Sequence, residues 1–547
     1  MTKCQYLCLV MLFPTLTLVF ACSTENGGNS NDSSDDGGVG TTDGDTSTQD
    51  TTDEEPGTDD SENGTEPPDS DIDSAVDSET DSGADTESDT EQDTDTEPEG
   101  MITFNTSFGG DEYDIAYSVL QTPDGGYLVT GYSFSFVNDQ VDVSDKDFII
   151  TNNDVLLGKF SKRGELEWKK SYGDRFPQNA TSMIVAPDGG YLLAGGSTAS
   201  FGKVVLDIEG EDIEFDKIRE NALLLKVEDD GTEEWSLSYG ETYTIDQFFK
   251  VMVTEDNHYL AVGRQIRYDE DYADDVMAPS YHTGNAQMMH YAVKTDLEGT
   301  VVWEKAFNTA GSTWDQLKDV VESPSGYMVV GGSVETIGEG RDFYVAELAK
   351  DTGAVSWEKT HPARKRFTGD DYAEAIHPIR DEVGDITGYL LAGGQDRGYD
   401  TFDRDLWGTV RLLKIDLSGN KVDEWTHDIT GGDNPEGEYV KEGIDEALDL
   451  VQTADGKFVV LSAVAYDVFV KFYEECDLHL MKIDQNGQVD WERRYGTLKK
   501  YDRPAEILVT ADDGFIIVGA TQSFLEPGAK AADDFHLIKT DPQGEIE

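Results

Sequence analysis

The first residues in this chain that could do chemistry are five aspartates that recur at one place in a repeating pattern. They are Asp114, Asp246, Asp315, Asp371 and Asp445, with Gln178 in the matching place and Asp502 one position off. A ring of carboxylates can take a divalent cation, calcium being the inorganic candidate, or a cationic ligand. The same short acids can instead accept hydrogen bonds from their own loops. A second group sets aromatic rings beside carboxylates: Tyr268, Asp271 and Tyr272 in one connection, Tyr399 and Trp407 in another. Rings and acids together suit sugars or a cationic partner, and equally suit loops that pack on one another. No organic cofactor is expected.

Signatures of catalysis are missing. The chain has no Gly-x-Ser-x-Gly elbow, no His-Glu-x-x-His and no phosphate loop. Glycoside hydrolysis needs two carboxylates about 5–9.5 Å apart. Of the 113 Asp and Glu, 85 lie in residues 101–547, so abundance selects no pair. The four cysteines, Cys4, Cys8, Cys22 and Cys476, have no metal-binding spacing. A binding module is therefore the leading expectation, and a hydrolase or lyase acting on polysaccharide is the alternative.

What must position these residues is a repeat. Asp188-Gly189-Gly190-Tyr191 and an apolar run ending in small residues return as Asp124-Gly125-Gly126-Tyr127, Asp256-Asn257-His258-Tyr259, Ser325-Gly326-Tyr327, Thr387-Gly388-Tyr389, Asp455-Gly456-Lys457-Phe458 and Asp513-Gly514-Phe515. Fixed periods of this size signal stacked or circular repeats. Each copy reads as four short strands, A to D. A tight Asp-Gly turn joins A to B and a second turn ending in Gly joins C to D. The B–C connections are long, and Ser197–Glu220 reads as an irregular one. Strand D carries Trp168, Trp235, Trp303, Trp357, Trp425 and Trp491, 54 to 68 residues apart. A lysine column (Lys159, Lys226, Lys294, Lys414, Lys482, Lys539, with Glu347 as exception) marks solvated or salt-bridged places on strand C.

These spacings predict an all-β fold, a β-propeller of seven four-stranded antiparallel blades over residues 101–547. The last copy stops where its strand D should begin, while Phe104-Asn105-Thr106-Ser107-Phe108-Gly109 matches Trp168-Lys169-Lys170-Ser171-Tyr172-Gly173. The N-terminal strand should complete the last blade and close the ring. The element Lys350-Asp351-Thr352-Gly353-Ala354-Val355-Ser356-Trp357 resembles the tryptophan-docking repeat of quinoprotein-like propellers, and the whole unit is similar to repeats of WD40-like propellers in bacterial lipoproteins. The resemblance implies architecture and is silent on activity. Long loops on a rigid scaffold are where binding resides, so the B–C face is the expected ligand face, for a protein or a glycan.

The N-terminus reads as an address. Lys3 precedes an uncharged run from Leu7 to Ala21, too short to span a membrane comfortably. Its end, Leu18-Val19-Phe20-Ala21-Cys22, resembles a lipoprotein lipobox, which implies that residues 1–21 are a signal peptide and that Cys22 carries the lipid, anchoring the chain to a membrane. Ser23 after the cysteine implies the outer membrane of a Gram-negative cell envelope. Residues 23–100 hold 28 acids and no Lys or Arg, so 22–100 reads as the lipidated cysteine plus a disordered acidic linker. The net charge of −72 excludes nucleic acid as a partner. A monomer is expected.

Overall fold

The computed structural model describes residues 101–138, 152–208, 211–241, 244–268, 286–309, 312, 314–334, 340–362, 370–399, 406–429, 432–433, 439–440, 443–465, 476–497, 500–524 and 533–546. Residues 1–100, where the signal peptide, Cys22 and the linker are expected, lie outside the described residues, as do Asp271 and Tyr272.

Seven antiparallel four-stranded blades make up the fold, each ordered A-B-C-D. Blade 1 runs Asp114–Gln121, Tyr127–Ser133, Asp154–Phe160 and Leu166–Tyr172. Blade 7 runs Asp502–Val509, Phe515–Thr521 and Asp534–Thr540, and its fourth strand is Phe104–Phe108 from the other end of the chain. Phe104 stands opposite Lys539, the rung at which Trp168 faces Lys159. The N-terminal strand thus closes the ring as its sequence match indicated. Strands A of successive blades pack against each other around the axis. Strands B and C are buried on both faces and carry the apolar runs, whereas the outer strand D alternates with exposed residues, as in Leu166–Tyr172. The core lies between blades: Ala116, Val119 and Tyr127 of blade 1 pack with Ile516, Val518 and Phe535 of blade 7.

Three repeated contacts explain the motifs. The first is an ion pair between the turn aspartate and the lysine column. Lys159 meets Asp124 at 3.0 Å, Lys294 meets Asp256 at 2.7 Å and Lys539 meets Asp512 at 3.0 Å. These lysines are salt-bridged as expected, and Lys226, Lys294 and Lys539 are almost fully buried. In blade 4 the lysine is Glu347, and there the turn offers Ser323 and Ser325 hydroxyls to its carboxylate at 2.8 and 2.5 Å. The exception therefore changes on both sides of the contact.

The second contact is the docking of each strand-D aromatic on the C–D turn of the next blade. The turn glycines have positive φ, and a Cβ added at Gly231, Gly353, Gly419 or Gly487 would strike Trp168, Trp303, Trp357 or Trp425. At the seam Phe104 takes the tryptophan's place over Gly164. Trp425 reaches its neighbour from a different rung: it stands opposite Leu412, with Asp423 opposite Lys414. The tryptophans therefore share a contact rather than one register position.

The third is a β-bulge at the same place in every strand A, for example between Ala116 and Ser118 or Pro504 and Glu506. The bulge swings a strand-A carbonyl over strand B, where a Cβ on Gly131 would lie 1.9 Å from the Ile115 oxygen. This is why strand B ends in small residues.

One connection departs from expectation. Ser197–Glu220 is not irregular; strands B and C of blade 2 run on as Tyr191–Ile208 and Glu211–Val227, paired to Ile208 opposite Glu211. Alternation in Ile213-Glu214-Phe215-Asp216 has the two-residue period of a strand, which the length of the segment obscured.

Candidate functional site

The topology puts the A–B and C–D turns at one end of the ring and the B–C and D–A connections at the other. The recurring aspartates begin strand A at the second end. Asp114, Asp246, Asp315, Asp371 and Asp445 are fully buried. Asp502 is too, and it is in register with them, facing Thr521 as Asp114 faces Ser133. A sequence offset of one vanished because the loop before strand A differs in length between blades.

The aspartates tie separate pieces of chain together. The backbone N–H donates to the preceding blade in Asp114 (to Asp533 O, 2.6 Å), Asp315 (to Met288 O, 3.1 Å) and Asp371 (to Arg341 O, 2.9 Å). Four of the carboxylates accept amides of the D–A connection: Gly110 N to Asp114 (2.7 Å), Thr309 N to Asp315 (2.9 Å), Ile429 N to Asp445 (2.6 Å) and Thr497 N to Asp502 (3.1 Å). Nearby hydroxyls complete the set, with Thr244 Oγ1 donating to Asp246 and Thr521 Oγ1 to Asp502, both at 2.5 Å. The glycine that ends strand D leaves the room: a Cβ at Gly240 would lie 1.9 Å from Asp246 Oδ2. Burial pushes the Asp246 carboxyl up to about 7 and that of Asp315 to about 6, and raises Asp114. Among the described residues no three His, Cys, Asp or Glu side chains stand together so as to hold a metal ion. What the geometry shows these acids doing is clamping loops and neighbouring blades.

A second ring went unread in the sequence. Four residues after each strand-A acid, just past the bulge, stand Ser118, Ser182, Lys250, Asp319, Ala375, Asp449 and Glu506. They form a hydrogen-bonded belt about the axis. Met183 N donates to Ser118 (3.0 Å), Val251 N to Ser182 (3.3 Å), Ile376 N to Asp319 (2.9 Å), Ile507 N to Asp449 (3.0 Å) and Val119 N to Glu506 (2.8 Å). Lys250 and Ala375 cannot accept, and there the next blade's amide turns to its own acid: Val320 N to Asp319 (2.7 Å) and Leu450 N to Asp449 (2.8 Å).

Lys250 of blade 3 instead reaches across the ring to Glu506 of blade 7 at 2.7 Å, and Glu506 also accepts from Ser118 at 2.7 Å. Burial opposes the charge on Lys250, but Glu506, Asp319 and Asp449 outweigh it and hold the lysine above its usual range. Burial also raises Asp319, and pushes Asp449 to about 7. An ion pair thus links blades 3 and 7 across the axis at this level. The signal for the belt was a fixed offset of four from each acid. The side chains themselves differ in type, so no motif announced it.

The aromatic candidates stand at the same end. Tyr268 is paired with Ala286 at the far end of blade 3's B and C strands, and Tyr399 with Leu406 in blade 5. Trp407 stands opposite Arg397 and Gly398 and also pairs in parallel with Gly443 of blade 6. The structure thus brings Tyr399 and Trp407 together on one blade and sets Tyr268 on another.

No protein-family model matches the chain, and no curated protein sequence matches it. Among solved structures it is similar to the quinohemoprotein alcohol dehydrogenase of Comamonas testosteroni, at 10% identity over 82% of this chain and 77% of that one, with a TM-score of 0.38. The α-L-arabinofuranosidase Arb93A of Fusarium graminearum matches at 12% identity over 81% and 98%, TM-score 0.35. The Dos1 propeller matches at 9% identity over 81% and 97%, TM-score 0.36. At these identities and scores nothing about binding or catalysis carries over.

Proposed function

We propose that this chain is an envelope lipoprotein, held in the outer membrane by a lipid on Cys22 and standing off it on residues 23–100. Its propeller binds a polymeric partner, protein or glycan, with the B–C end of the ring. The observation behind this reading is the contrast between the two ends. At the A–B end, blades repeat one tight turn and one ion pair between a buried lysine and an exposed turn aspartate. At the B–C end the blades diverge: blade 2 extends strands B and C to Ile208 and Glu211, and blades 3 and 5 carry theirs to Tyr268 and Tyr399. A scaffold held constant at one end and varied at the other supports recognition at the varied end.

The test is a glycan array with reducing-sugar release measured on the same samples. Tyr268 and Ala286 are a paired rung, so residues 269–285 can be replaced by an Asn-Gly turn without moving the strands. Wild type should retain a discrete set of glycans or proteins, and the shortened variant should lose them with its melting curve unchanged. Saturable sugar release would make the protein a hydrolase or lyase instead. Anchoring is tested by metabolic palmitate labelling, which Cys22→Ser should abolish.

A further inference from the structure

Among the described residues, blade 2 carries its strands B and C furthest past their partners A and D. Its strand B pairs with strand A only as far as Ser197, opposite Gln178, and its strand C meets strand D only from Ala222, opposite Tyr239. Thr198 N still donates to Pro177 O at 2.9 Å; beyond it the two strands run on as a ribbon from the Ala199–Arg219 rung to the Ile208–Glu211 rung. At about 3.3 Å per residue the ribbon is roughly 30 Å long. Among the described residues no strand pairs with either of its edges.

Natural proteins blunt such edges with proline, bulges or charged side chains, and the charges on this edge, Glu211, Asp212, Glu214, Asp216 and Lys217, are four acids to one base, a guard against like copies that leaves a cationic strand free to pair. Glu211–Ile218 has no proline and one lysine, Lys217, and the single irregularity of the ribbon lies back at Ser200 and Gly202. The register sets position 204 opposite 215 and 206 opposite 213, so Val204, Leu206, Ile213 and Phe215 occupy one face. Positions 203 and 216, 205 and 214, and 207 and 212 occupy the other, where Asp207, Asp212, Glu214 and Asp216 outnumber Lys203.

We infer that the outer edge of this ribbon, Glu211–Ile218, captures an extended cationic polypeptide by adding it as a third strand. An unpaired strand edge selects a backbone rather than a sugar. The alternation of apolar and acidic positions selects a partner that alternates apolar and basic ones. Charge excludes a second copy of the ribbon as the occupant, because pairing would set acid against acid. The inference rests on the assignment of recognition to the B–C end and names the partner class for one arm of it.

The probe is a fluorescein-labelled peptide of about ten residues alternating Lys and Val, followed by anisotropy against the lipid-free chain beginning at Ser23. A second peptide keeps every lysine but has proline in place of alternate valines, which preserves charge and removes pairing. A ribbon-less variant joins Ala199 to Arg219, a paired rung, through Asn-Gly in place of residues 200–218. Saturable binding of the alternating peptide is expected. It should weaken about tenfold or more for the proline peptide and for the ribbon-less variant, while the variant melts as wild type. Equal binding of both peptides would show attraction by charge alone and overturn the inference, as would undiminished binding by the ribbon-less variant or no binding at all. The variant lacking 269–285 should still bind the peptide. If the ribbon fails these tests while loss of 269–285 still abolishes array binding, only the ribbon assignment falls.

Discussion

Replacing Phe104 by Ala tests how the ring is held shut. Phe104 is half-buried, lies over the Gly164 turn of blade 1 and meets the Tyr127 ring edge-on at 6.0 Å. Its strand also ties to blade 7 through Ser107 Oγ to Phe524 O at 2.5 Å and the Asn105–His536 contact at 2.7 Å. A fully buried Phe→Ala change costs about 3–5 kcal/mol, so a half-buried ring at the seam should cost about 2 kcal/mol. For a domain of this size that corresponds to a melting shift of roughly 2–4 °C. Phe104→Trp should instead be neutral or stabilising, because tryptophan fills this rung in blades 1, 2, 3, 4 and 6. The assay is thermal unfolding followed by near-UV circular dichroism, with Trp168→Ala as the equivalent lesion inside a continuous blade. An unchanged melting curve for Phe104→Ala alongside a clear loss for Trp168→Ala would refute the closure, since the N-terminal strand would then carry no load.

Three further outcomes follow from the repeated contacts. Gly393→Ala should lower stability by several kcal/mol, on the order of 3, because its Cβ would sit 1.7 Å from the Tyr372 carbonyl oxygen; Gly125→Ala, which meets only open space at φ +81°, should cost about 1 kcal/mol. Glu347→Lys should destabilise by about 3 kcal/mol, since Ser323, Ser325 and the Trp357 indole all donate to this carboxylate and a lysine offers them no acceptor; urea unfolding measures both. Asp246→Asn should flatten the pH dependence of stability. The wild-type acid binds its proton more tightly folded (about 7) than unfolded (3.8), so stability is lost as pH rises from about 4 to about 7. Asparagine carries no such loss, and the variant should gain on wild type by about 3 kcal/mol between pH 5 and 8, read from melting temperatures across that range.

The blade count and closure were legible because they rest on local chemistry: Asp-Gly turns that need positive φ, and aromatics spaced by one blade. Phe104 could be matched to Trp168 for the same reason. The belt around the axis was not legible, because what its members share is a place after a bulge, and Ser118, Lys250 and Glu506 have no side-chain type in common. The lysine column could be read as paired, but its partner could not: only the folded hairpin brings Asp124, 35 residues away, to Lys159. The acids were found as a column, yet their place as loop clamps depends on amides such as Gly110 N and Ile429 N, which carry no sequence signal. At the B–C end the sequence marked the connections as long and the aromatics as their notable residues. It did not show that Tyr268 and Tyr399 end regular strands, or that blade 2 extends as a ribbon.

On the function proposed above, recognition belongs to the B–C end of a closed ring whose other end is structural. The most direct measurement compares the two ends on one array of glycans and alternating basic peptides. Wild type is set beside the two B–C variants, lacking 269–285 or 200–218, and beside a variant of the opposite end in which the exposed Val383 of the blade 5 turn is changed to Lys. Wild type and Val383→Lys should share one binding profile, and each B–C variant should lose part of it with its fold intact. A profile unchanged in both B–C variants but lost in Val383→Lys would contradict that function.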